Sequence, residues 1–400
     1  MKRVGVIGQG YVGLAVATAA ADVGHTVTGY DTNQGLIQRL AQGNSHIEDV
    51  VSNGLKKLID TGKYMPTNNP SDLASCEIII IAVPTPLDSQ RKPDISYLES
   101  AVDTLIEFVK NEILIISEST SYPGTLRKVI AEKIYKSSAL NHRYAVAPER
   151  IDPGNKKWFV RNTPRVVAGL TQESGKEAQD FYLTFTENVN LAPSPEVAEM
   201  AKLVENSFRY INIAFVNELA QIANEFKISI TDVLDAAATK PYGYMRFSPG
   251  AGVGGHCIPI DPIYLSSESE KTGIKSTLID KADHINLTMP SYVISRVLKD
   301  NNQDISGKKV LVVGVSYKSD IADVRETPAV EILKLLKEYG AISTWYDPLV
   351  PTFNGQSSAK IESQDIAIVL NLHKEVDIIK LKNIKYVFDC TGKLKWAKGF

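Results

Sequence analysis

The first thirty-one residues limit the fold more than any other part of the chain. A short apolar run at 4–7 is followed by GQGYVG at 8–13, an Ala-rich helical pattern at 14–23, and an apolar, β-branched run at 26–30 that ends at Asp31. This order of strand, glycine turn, helix, strand and acid is the context in which GxGxxG predicts a dinucleotide site. The glycines let the backbone approach a pyrophosphate at the helix N-terminus, where N–H groups and the helix dipole favour an anion.

The residues at the end of the second strand indicate which dinucleotide is bound. We expect Asp31 to bind the ribose hydroxyls. Thr32, Asn33 and Gln34 follow it, so the sequence has no Arg or Lys there to meet a 2′-phosphate. NAD is therefore favoured over NADP. A βαβ unit that binds nothing is the weaker alternative, because the whole context of the motif is present.

Further strand patterns continue this domain and end in polar turns. They lie at 78–83, 113–117, 144–147 and 166–168, with helical patterns between them, and this alternation predicts a doubly wound parallel sheet. The first three are followed by PTP, ESTSYPGT and PER. Any one of these is an ordinary Pro- or Gly-containing turn when taken alone. Three at the carboxyl edge of one sheet predict a ligand site.

An unbroken helical pattern at 195–226 occupies the middle of the chain, with apolar residues every three or four positions. We interpret it as a connector between two domains and as a surface that packs against a second subunit. Lys202, Glu205, Asn206 and Arg209 form one stripe of this helix. For Glu205 and Arg209, a solvated helix face is an equally good interpretation. A further helix is expected at 279–298.

A second βαβ pattern follows near the C-terminus. It has a strand at 310–313, a turn from Gly314 to Lys318, a helix at 327–339 and a strand at 344–346, with later strands at 366–370 and 386–388. Gly314 lacks the rest of a dinucleotide fingerprint, so we expect another ligand there, or another part of the same one. The predicted fold is α/β, with two doubly wound Rossmann-like domains joined by a long central helix. The predicted domains are 1–194, 195–304 and 305–400.

The stretch FSPGAGVGGHCIPID at 247–261 predicts a shaped loop, because its glycines and prolines disfavour regular structure. Cys257 lies near its end. Most free cysteines are buried and inert, and that interpretation is the simpler one for Cys257 alone. A thiol beside a hydride acceptor has another use, since it can add to an aldehyde, lose a second hydride as a thiohemiacetal, and release a carboxylate from the thioester.

Bulk properties exclude several classes of protein. The length of 400 residues indicates two or three domains, and a net charge of −2 gives no electrostatic reason to expect nucleic acid or an acidic membrane as partner. Three distant cysteines fit neither a disulfide framework nor a zinc site, so we expect no metal. With no signal peptide and no apolar stretch of about 20 residues, the expected compartment is the cytoplasm.

At the level of whole motifs, the chain resembles the UDP-sugar 6-dehydrogenase family over essentially its whole length. The motifs are GQGYVGLA, PTPLD, ESTSYPGT, APERIDPGN, AKLVENSFRYINIAFVNE, GVGGHCIPIDP and YKSDIADVRETP. The resemblance implies oxidation of a sugar C6 hydroxymethyl group to a carboxylate with two NAD and one water. The SHIED segment at Ser45, with ESTSYPGT, PERIDPGN and HCIPIDP, is most similar to UDP-N-acetylglucosamine 6-dehydrogenases. UDP-glucose, UDP-N-acetylmannosamine and UDP-N-acetylgalactosamine remain alternative substrates.

The resemblance also implies roles for individual residues. Cys257 is the expected nucleophile, supported by Asp261. Lys202 and Asn206 match residues that stabilise oxyanions, and their i, i+4 spacing lets both reach one point. Glu149 matches a base or water-orienting glutamate, and Thr120 matches a threonine that positions the water.

The expected binding residues fall into two groups. Those for NAD are Gly8, Gly10, Tyr11, Val12, Gly13, Asp31, Thr85, Thr120 and Arg325. Those for the UDP-sugar are Glu149, Arg150, Lys202, Asn206, Arg246, Phe247, Gly254 and Lys318, and Arg246 is expected to reach the substrate of a neighbouring subunit in a homodimer or larger homo-oligomer.

Two departures from the family pattern bear on the choice of sugar. The glucose-oxidising branch usually has a basic residue where this chain has Ile260, and often an acid where it has Pro153. We interpret both as signs of the hexosamine branch. His256 is expected to be structural or to contact substrate, because adjacent loop residues often point apart, and it is not expected to be a base for Cys257. Two alternatives from other classes are a two-electron hydroxyacid dehydrogenase with a structural Cys257, and an inactive module that senses NAD and nucleotides.

Overall fold

A computed structural model describes residues 1–152 and 154–400 of the chain. The expectation for Pro153 falls outside the described residues. The chain divides into two compact units, Met1–Glu205 and Asn206–Phe400. None of the helices in the described part of the chain combines the length and apolar character that crossing a bilayer requires.

The first unit is built on an eight-stranded sheet. Its strands are β1 (Arg3–Ile7), β2 (Thr26–Tyr30), β3 (Tyr64–Thr67), β4 (Ile78–Ile81), β5 (Leu114–Ser117), β6 (Arg143–Val146), β7 (Arg165–Gly169) and β8 (Val189–Leu191). They lie in the order β3-β2-β1-β4-β5-β6-β7-β8. The first six strands have the order of a doubly wound dinucleotide-binding sheet. All four isoleucines of β4 are buried, as expected for a strand covered on both faces.

Helices cover both faces of this sheet. They are α1 (Tyr11–Asp22), α2 (Gln34–Ala41), α3 (Ser52–Asp60), α4 (Ser96–Phe108), α5 (Glu132–Ser137) and α6 (Gln172–Tyr182), with a 3₁₀ helix at Pro70–Ser75 and a π-helical segment at Leu126–Ala131. Two separate apolar cores result, one on each side of the strands.

Helix α7 (Pro195–Glu225) has 31 residues and runs through the boundary between the two units. The predicted long central helix is therefore present, and it ends one residue earlier than the sequence pattern indicated. Lys202 and Asn206 are both buried on it, one turn apart.

The second unit repeats the α/β arrangement around a five-stranded sheet. Its helices are α8 (Ile230–Ala237), α9 (Asp261–Lys271), α10 (Thr277–Asp300), α11 (Ala329–Glu338) and α12 (Ile378–Lys382). Its strands are β9 (Lys309–Val313), β10 (Ile342–Tyr346), β11 (Thr352–Phe353), β12 (Gln356–Ser357), β13 (Ile366–Val369), β14 (Tyr386–Asp389) and β15 (Lys398–Gly399). The main sheet has the order β10-β9-β13-β14-β15 and is parallel, while β11 and β12 form a separate antiparallel pair.

The structure corrects one part of the predicted first sheet. Strand β7 pairs antiparallel with β6, through Ala145 with Gly169 and Val146 with Ala168. The prediction of helices between all the strands is wrong here, because the described residues between β6 and β7 contain no helix. A parallel pair needs a long crossover, usually a helix, so the chain instead returns in the opposite direction.

Several element boundaries also differ from the prediction. Helix α1 begins at Tyr11, three residues earlier than its apolar pattern indicated, and α11 begins at Ala329 with Pro328 as its N-cap. The loop predicted at 247–261, called the glycine loop below, ends at residue 260. Asp261 is already the first residue of α9, because Pro262 favours the first helical turn.

Candidate active site

The turn between β1 and α1 has the shape that a bound dinucleotide requires. Gly8 has a φ of +90°, and a Cβ there would lie 2.5 Å from the carbonyl oxygen of Ala82. A Cβ on Gly13 would lie 1.8 Å from the carbonyl oxygen of Gly8, so both positions accept only glycine. Gly10, in contrast, faces open space, and no side chain of the described residues caps α1 at this end. A bare helix N-terminus with open space before it fits the pyrophosphate of NAD.

Asp31 is held beside this turn by the backbone. Its Oδ2 atom accepts a hydrogen bond from the N–H of Gln9 at 2.8 Å, and its Oδ1 atom accepts one from the N–H of Asn33 at 2.9 Å. The carboxylate is half-buried at the end of β2. It therefore has a fixed position and remaining lone pairs for ribose hydroxyls.

The other residues predicted for NAD in the first unit follow strand ends of the same sheet. Thr85 is buried after β4, and Thr120 is half-buried after β5. Tyr11 packs edge-to-face on His46, with ring centroids 6.4 Å apart. Arg325 belongs to the second unit, where its guanidinium pairs with Asp323 at 2.5 Å.

Glu149 is a buried carboxylate directly after β6. Its Oε1 atom accepts hydrogen bonds from the N–H groups of Arg150 and Ile151, both at 2.7 Å, and its Oε2 atom accepts one from Arg165 Nη2 at 2.5 Å. Burial raises the pKa of Glu149, but Arg165, the Arg150 N–H, Glu118 and Lys202 together outweigh it, so the pKa is lowered. The first unit thus brings Glu149 and Lys202 into one electrostatic site.

Arg150, another predicted substrate residue, is engaged with α7. Its guanidinium pairs with Glu205 and donates a hydrogen bond to the carbonyl oxygen of Pro164 at 3.1 Å. Glu205 is therefore part of an ion pair in this unit, whereas its helical stripe fitted a solvated face equally well.

The three cysteines differ in their surroundings. Cys76 and Cys390 are buried, and burial raises the pKa of Cys76 to about 11 and that of Cys390 well above its ordinary value. Cys257 is exposed, at the end of the glycine loop. The inert, buried state that is common for cysteine describes Cys76 and Cys390, and Cys257 is the accessible thiol.

The second unit brings Cys257, Asp261 and Asn206 together. The carbonyl oxygen of Cys257 accepts a hydrogen bond from the N–H of Asp261 at 2.9 Å, which turns the chain from the loop into α9. The Asp261 carboxylate is buried and accepts a hydrogen bond from Asn206 Nδ2 at 2.5 Å. The amide of Asn206 is therefore fixed by the first residue of α9.

A cavity of about 370 Å³ lies in the second unit between the glycine loop, the turn after β9 and the ends of β13 and β14. Gly254 and Lys318, both predicted substrate residues, line it. A Cβ on Gly254 would lie 2.6 Å from Tyr317 Cβ, so the loop approaches this turn only with glycine there. Arg209 and Lys393 also line the cavity. Neither was predicted as a binding residue, although the helical stripe containing Arg209 and the TGK turn at 391–393 were visible signals.

Arg246 precedes the glycine loop and Phe247 is its first residue, and both have partners within the second unit. Arg246 pairs with Asp235 at 2.7 Å and donates a hydrogen bond to Ser248 Oγ at 2.7 Å. Phe247 packs edge-to-face on Phe208, with centroids 6.1 Å apart. Arg246 is thus held by its own unit in the single chain.

His256 lies next to the thiol in sequence and is half-buried. Burial and the charge of Arg325, opposed by Asp323, lower its pKa to about 4. The imidazole is therefore neutral near pH 7 and a weak base.

Comparison with known proteins assigns the chain to one family. The NAD binding, central and UDP binding domains of the UDP-glucose/GDP-mannose dehydrogenase family match residues 2–186, 196–288 and 311–395. The chain belongs to this family and, with the family's NAD binding domain, is an NAD-dependent oxidoreductase of the UDP-sugar dehydrogenase class. The resemblance drawn from the motifs and the choice of NAD are confirmed.

Individual relatives share most of their length with the chain. A UDP-N-acetyl-D-mannosamine dehydrogenase of Methanococcus maripaludis is 35% identical, over 100% of this chain and 95% of the relative. A UDP-N-acetyl-D-glucosamine 6-dehydrogenase of Pseudomonas aeruginosa is also 35% identical, over 87% of this chain and 83% of the relative. A solved UDP-D-ManNAc dehydrogenase from Pyrococcus horikoshii has a TM-score of 0.90 at 30% identity, covering 99% of this chain and 98% of that one. The α/β fold class predicted from the sequence is confirmed.

Proposed function

We propose that the protein oxidises the C6 hydroxymethyl group of a UDP-N-acetylhexosamine to a carboxylate, with two NAD and one water. The observation that carries the proposal is the exposed thiol of Cys257, whose backbone carbonyl accepts the N–H of Asp261 in the buried Asp261–Asn206 pair. A two-electron dehydrogenase needs no nucleophile to release its product, whereas a thiol can hold the aldehyde covalently for a second oxidation to the acid.

Sequence motifs and the named relatives bear on which sugar is oxidised. The SHIED, ESTSYPGT, PERIDPGN and HCIPIDP segments favour UDP-N-acetylglucosamine, the substrate named for the Pseudomonas aeruginosa relative. The Methanococcus maripaludis relative, which matches over the full length, is named for UDP-N-acetyl-D-mannosamine. The two sugars share the 2-acetamido group and differ in configuration at C2. UDP-N-acetylglucosamine is therefore the first candidate and UDP-N-acetylmannosamine the second.

The reaction converts a primary alcohol and one water into a carboxylate, with two hydrides removed and three protons released. NAD, when bound, supplies the acceptor for each hydride. After the first oxidation, the Cys257 sulfur adds to the aldehyde carbon and forms a thiohemiacetal. After the second, the same carbon is held as a thioester, and water displaces the sulfur to give the acid and the thiol.

The buried polar residues would stabilise the charge that develops in these steps. Lys202 and Asn206 are donors placed one turn apart on α7, and such donors stabilise tetrahedral oxyanions. Asp261 holds the Asn206 amide in one orientation, so the amide needs little reorganisation during the reaction. Glu149, kept ionised by its surroundings, would accept the proton of the attacking water, which Thr120 positions.

The nucleotide end of the substrate would occupy the cavity in the second unit. Lys318, Lys393 and Arg209 supply positive charge around it, which suits a pyrophosphate. We retain 1–194, 195–304 and 305–400 as proposed domains, the last of them for UDP-sugar binding.

The central helix would pair with a second copy of the chain. Exposed apolar side chains recur along α7 at spacings of three, four or seven residues, which places them on one face: Val197, Met200, Val204, Phe208, Phe215 and Ile222. An apolar face of this length is typical of an interface. Sedimentation of wild type against Phe215→Glu tests the proposal, since a dimer should dissociate with the charge and a monomer should be unaffected.

The test of function is the number of NADH released per sugar. UDP-glucose, UDP-N-acetylglucosamine, UDP-N-acetylmannosamine and UDP-N-acetylgalactosamine are assayed in parallel, with the product identified by mass spectrometry. Two NADH per sugar and a carboxylate product are expected for the N-acetylglucosamine or N-acetylmannosamine nucleotide. One NADH per substrate would indicate the two-electron alternative, and no turnover with the whole panel would favour the sensing module.

Cys257→Ser tests the covalent step within the same assay. Carboxylate formation is expected to be abolished while NAD still binds, because the hydroxyl is a far weaker nucleophile than the thiolate. Cys76→Ala, which removes a buried thiol, is the matched control and should retain turnover. An unchanged product yield in Cys257→Ser would rule out the thioester route.

A further inference from the structure

A second carboxyl group is buried beside Glu149. Glu118 follows β5 directly, and Glu118, Glu149, Arg165 and Tyr182 are 1%, 7%, 2% and 0% exposed. Arg165 Nη1 donates to Glu118 Oε1 at 3.1 Å, and Arg165 Nη2 donates to Glu149 Oε2 at 2.5 Å. The Tyr182 hydroxyl also donates to Glu118 Oε1, and its ring lies 4.6 Å from the Arg165 guanidinium. One arginine therefore bridges two carboxyl groups away from water.

The hydrogen bonds divide unequally between the two carboxyls. Glu149 accepts from three donors, which together engage both of its oxygens. The Oε2 atom of Glu118 is buried and has no hydrogen-bond partner among the described residues. A buried acceptor without a donor loses its hydration with nothing in return, and an ionised one loses more. A proton on Glu118 Oε2 removes this cost, because the atom becomes a donor and the Glu149 carboxylate beside it becomes the acceptor.

We propose that Glu118 carries this proton and donates it in a hydrogen bond to Glu149, so that Glu118 and Arg165 are positioning residues that keep Glu149 ionised and oriented. The inference rests on the proposed function of Glu149 in the water step. Glu149 accepts one proton from the attacking water and later releases it to solvent. Glu118 already holds its proton and accepts none, which confines the base function to Glu149.

The distribution of positive charge agrees with this assignment. Arg165 is shared between the two carboxyls, while Lys202 acts on Glu149, so the cations favour an ionised Glu149 and leave the proton to Glu118. Burial and the Glu149 carboxylate, opposed by Arg165, raise the pKa of Glu118 to about 8. Burial and Glu118 raise the pKa of Tyr182 well above its ordinary value, and the two carboxylates raise that of Arg165 against the effect of burial. Lys202, which acts on Glu149, completes the set of facing charges.

The first test is the pH profile of kcat for wild type and Glu118→Gln. Glutamine keeps the donor of a protonated glutamate but cannot ionise. We expect kcat of Glu118→Gln within about threefold of wild type at neutral pH, and a decline near pH 8 in wild type that is absent in the variant. Glu118→Ala, which loses the donor, should lower kcat by about 10- to 100-fold with little change in KM. Glu107→Gln, on the exposed face of α4, is the matched control and should behave as wild type.

Arg165→Lys tests the bridge itself. Lysine keeps the charge but loses the two-pronged contact, so we expect kcat to fall by about tenfold or more. Thermal melting of each variant accompanies the kinetics. Superposable profiles for wild type and Glu118→Gln, or equal losses in Glu118→Gln and Glu118→Ala, would overturn the inference.

A spectroscopic readout separates this inference from the proposed function. The infrared difference between wild type and Glu118→Gln at neutral pH should show a protonated carboxylic acid band that disappears as the pH rises through about 8. Glu199, whose pKa burial raises to about 7, is present in both proteins and cancels in this difference. The band does not depend on turnover. Its absence from wild type would overturn the assignment of the proton, whereas failure to oxidise any UDP-sugar would overturn the proposed function and leave the band to be observed.

Discussion

In each α/β unit the first strand of the main sheet is followed by the same turn, and the two units use this turn differently. In the first, the N–H of Gly8 donates to the carbonyl oxygen of Tyr30 at 2.9 Å, and in the second that of Gly314 donates to Tyr346 at 2.8 Å. Both glycines have positive φ, +90° and +78°. A Cβ on Gly314 would lie 2.2 Å from the carbonyl oxygen of Asn371, as one on Gly8 would meet Ala82. The backbone device is the same in both units.

The two turns differ in the residues after the glycine and in the groups that face the aspartate. After Gly8 the chain enters α1 within three residues, whereas after Gly314 an irregular segment runs to α11. Asp347 occupies the place that Asp31 has in the first unit, accepting a hydrogen bond from the N–H of Ser316 at 3.1 Å. Asp347 is buried, and its Oδ2 atom also lies 3.0 Å from Nε2 of His373.

His373 therefore hydrogen-bonds to the second turn from inside the unit. Its Nδ1 atom accepts the N–H of Asp320 at 2.9 Å, so Nε2 carries the hydrogen that faces Asp347. Asp31 retains lone pairs that can accept hydrogen bonds from a ribose, whereas Asp347 accepts a hydrogen bond from the side chain of His373. The longer segment instead places Lys318 at the cavity. In both units the glycine turn is held rigidly by the backbone. The residues that follow it determine which part of a ligand can bind there.

The largest expected effects come from an alanine at either glycine. Gly8→Ala and Gly314→Ala each combine an unfavourable φ with a backbone clash, and we expect a loss of about 2–4 kcal/mol in the free energy of unfolding. Gly8→Ala should weaken NAD more than UDP, and Gly314→Ala should do the reverse. Calorimetric titration of both ligands and urea unfolding measure these effects. Gly54→Ala, where a Cβ meets nothing within 4 Å, is the control. Equal weakening of both ligands by either variant would contradict the comparison.

Much of this arrangement is readable from the sequence where the signal is local. The unit from β1 to β2 was predictable because strand, glycine, helix and acid lie within about thirty residues. The turn at Gly314 and the strand at 344–346 that precedes Asp347 were predicted, but the role of His373 was not. Its partner lies 26 residues away in sequence, and the contact depends on β10 and β13 flanking β9 in the sheet.

The same limit explains the missed part of the candidate site. Arg165 begins β7, and a basic residue at a strand end usually indicates solvent. Its burial between Glu118 and Glu149 depends on β7 reversing direction beside β6, which short apolar runs do not reveal. Cys257 was recognisable by its motif, while its exposure and the burial of Cys76 and Cys390 required the structure.

Removing Asp347 should affect stability more than ligand affinity. Asp347→Ala leaves the buried N–H of Ser316 without its acceptor and leaves the Nε2–H of His373 with only Ser316 Oγ, at 3.1 Å, at an expected cost of about 2–3 kcal/mol in unfolding free energy. Chemical denaturation followed by UDP titration of the folded fraction measures it. Asp304→Ala, at an exposed turn in the same unit, is the control. An effect below that of the control would mean that His373 does not depend on this carboxylate.

Asp31→Ala should lower ligand affinity more than stability, the opposite of Asp347→Ala. The carboxylate is half-buried, so folding should change little, whereas NAD should bind about 1–3 kcal/mol more weakly if charge-assisted hydrogen bonds to the ribose are lost. The NAD dissociation constant is the measurement, with UDP affinity as the internal control. An unaltered constant would argue against the role of Asp31 and against the contrast drawn with Asp347.

The smallest expected effect is acid sensitivity at the second turn. His256, in the glycine loop, faces Asp323 and Arg325, which belong to the segment after Gly314. Its pKa in the folded protein is about 4, below the ordinary value of 6.5. Because the folded pKa is depressed, the stabilisation is complete above pH 6.5 and is lost as the pH falls toward 4. At about pH 5.5 the free energy of unfolding is lower by about 1 kcal/mol.

His256→Gln should therefore reduce the slope of the unfolding free energy against pH between pH 6.5 and 4. His284→Gln, at an exposed position of α10, is the control for a histidine change elsewhere in the unit. A slope unchanged by His256→Gln would place the acid sensitivity outside the second turn. A reduced slope would show that the segment that distinguishes this turn from the first also limits its stability in acid.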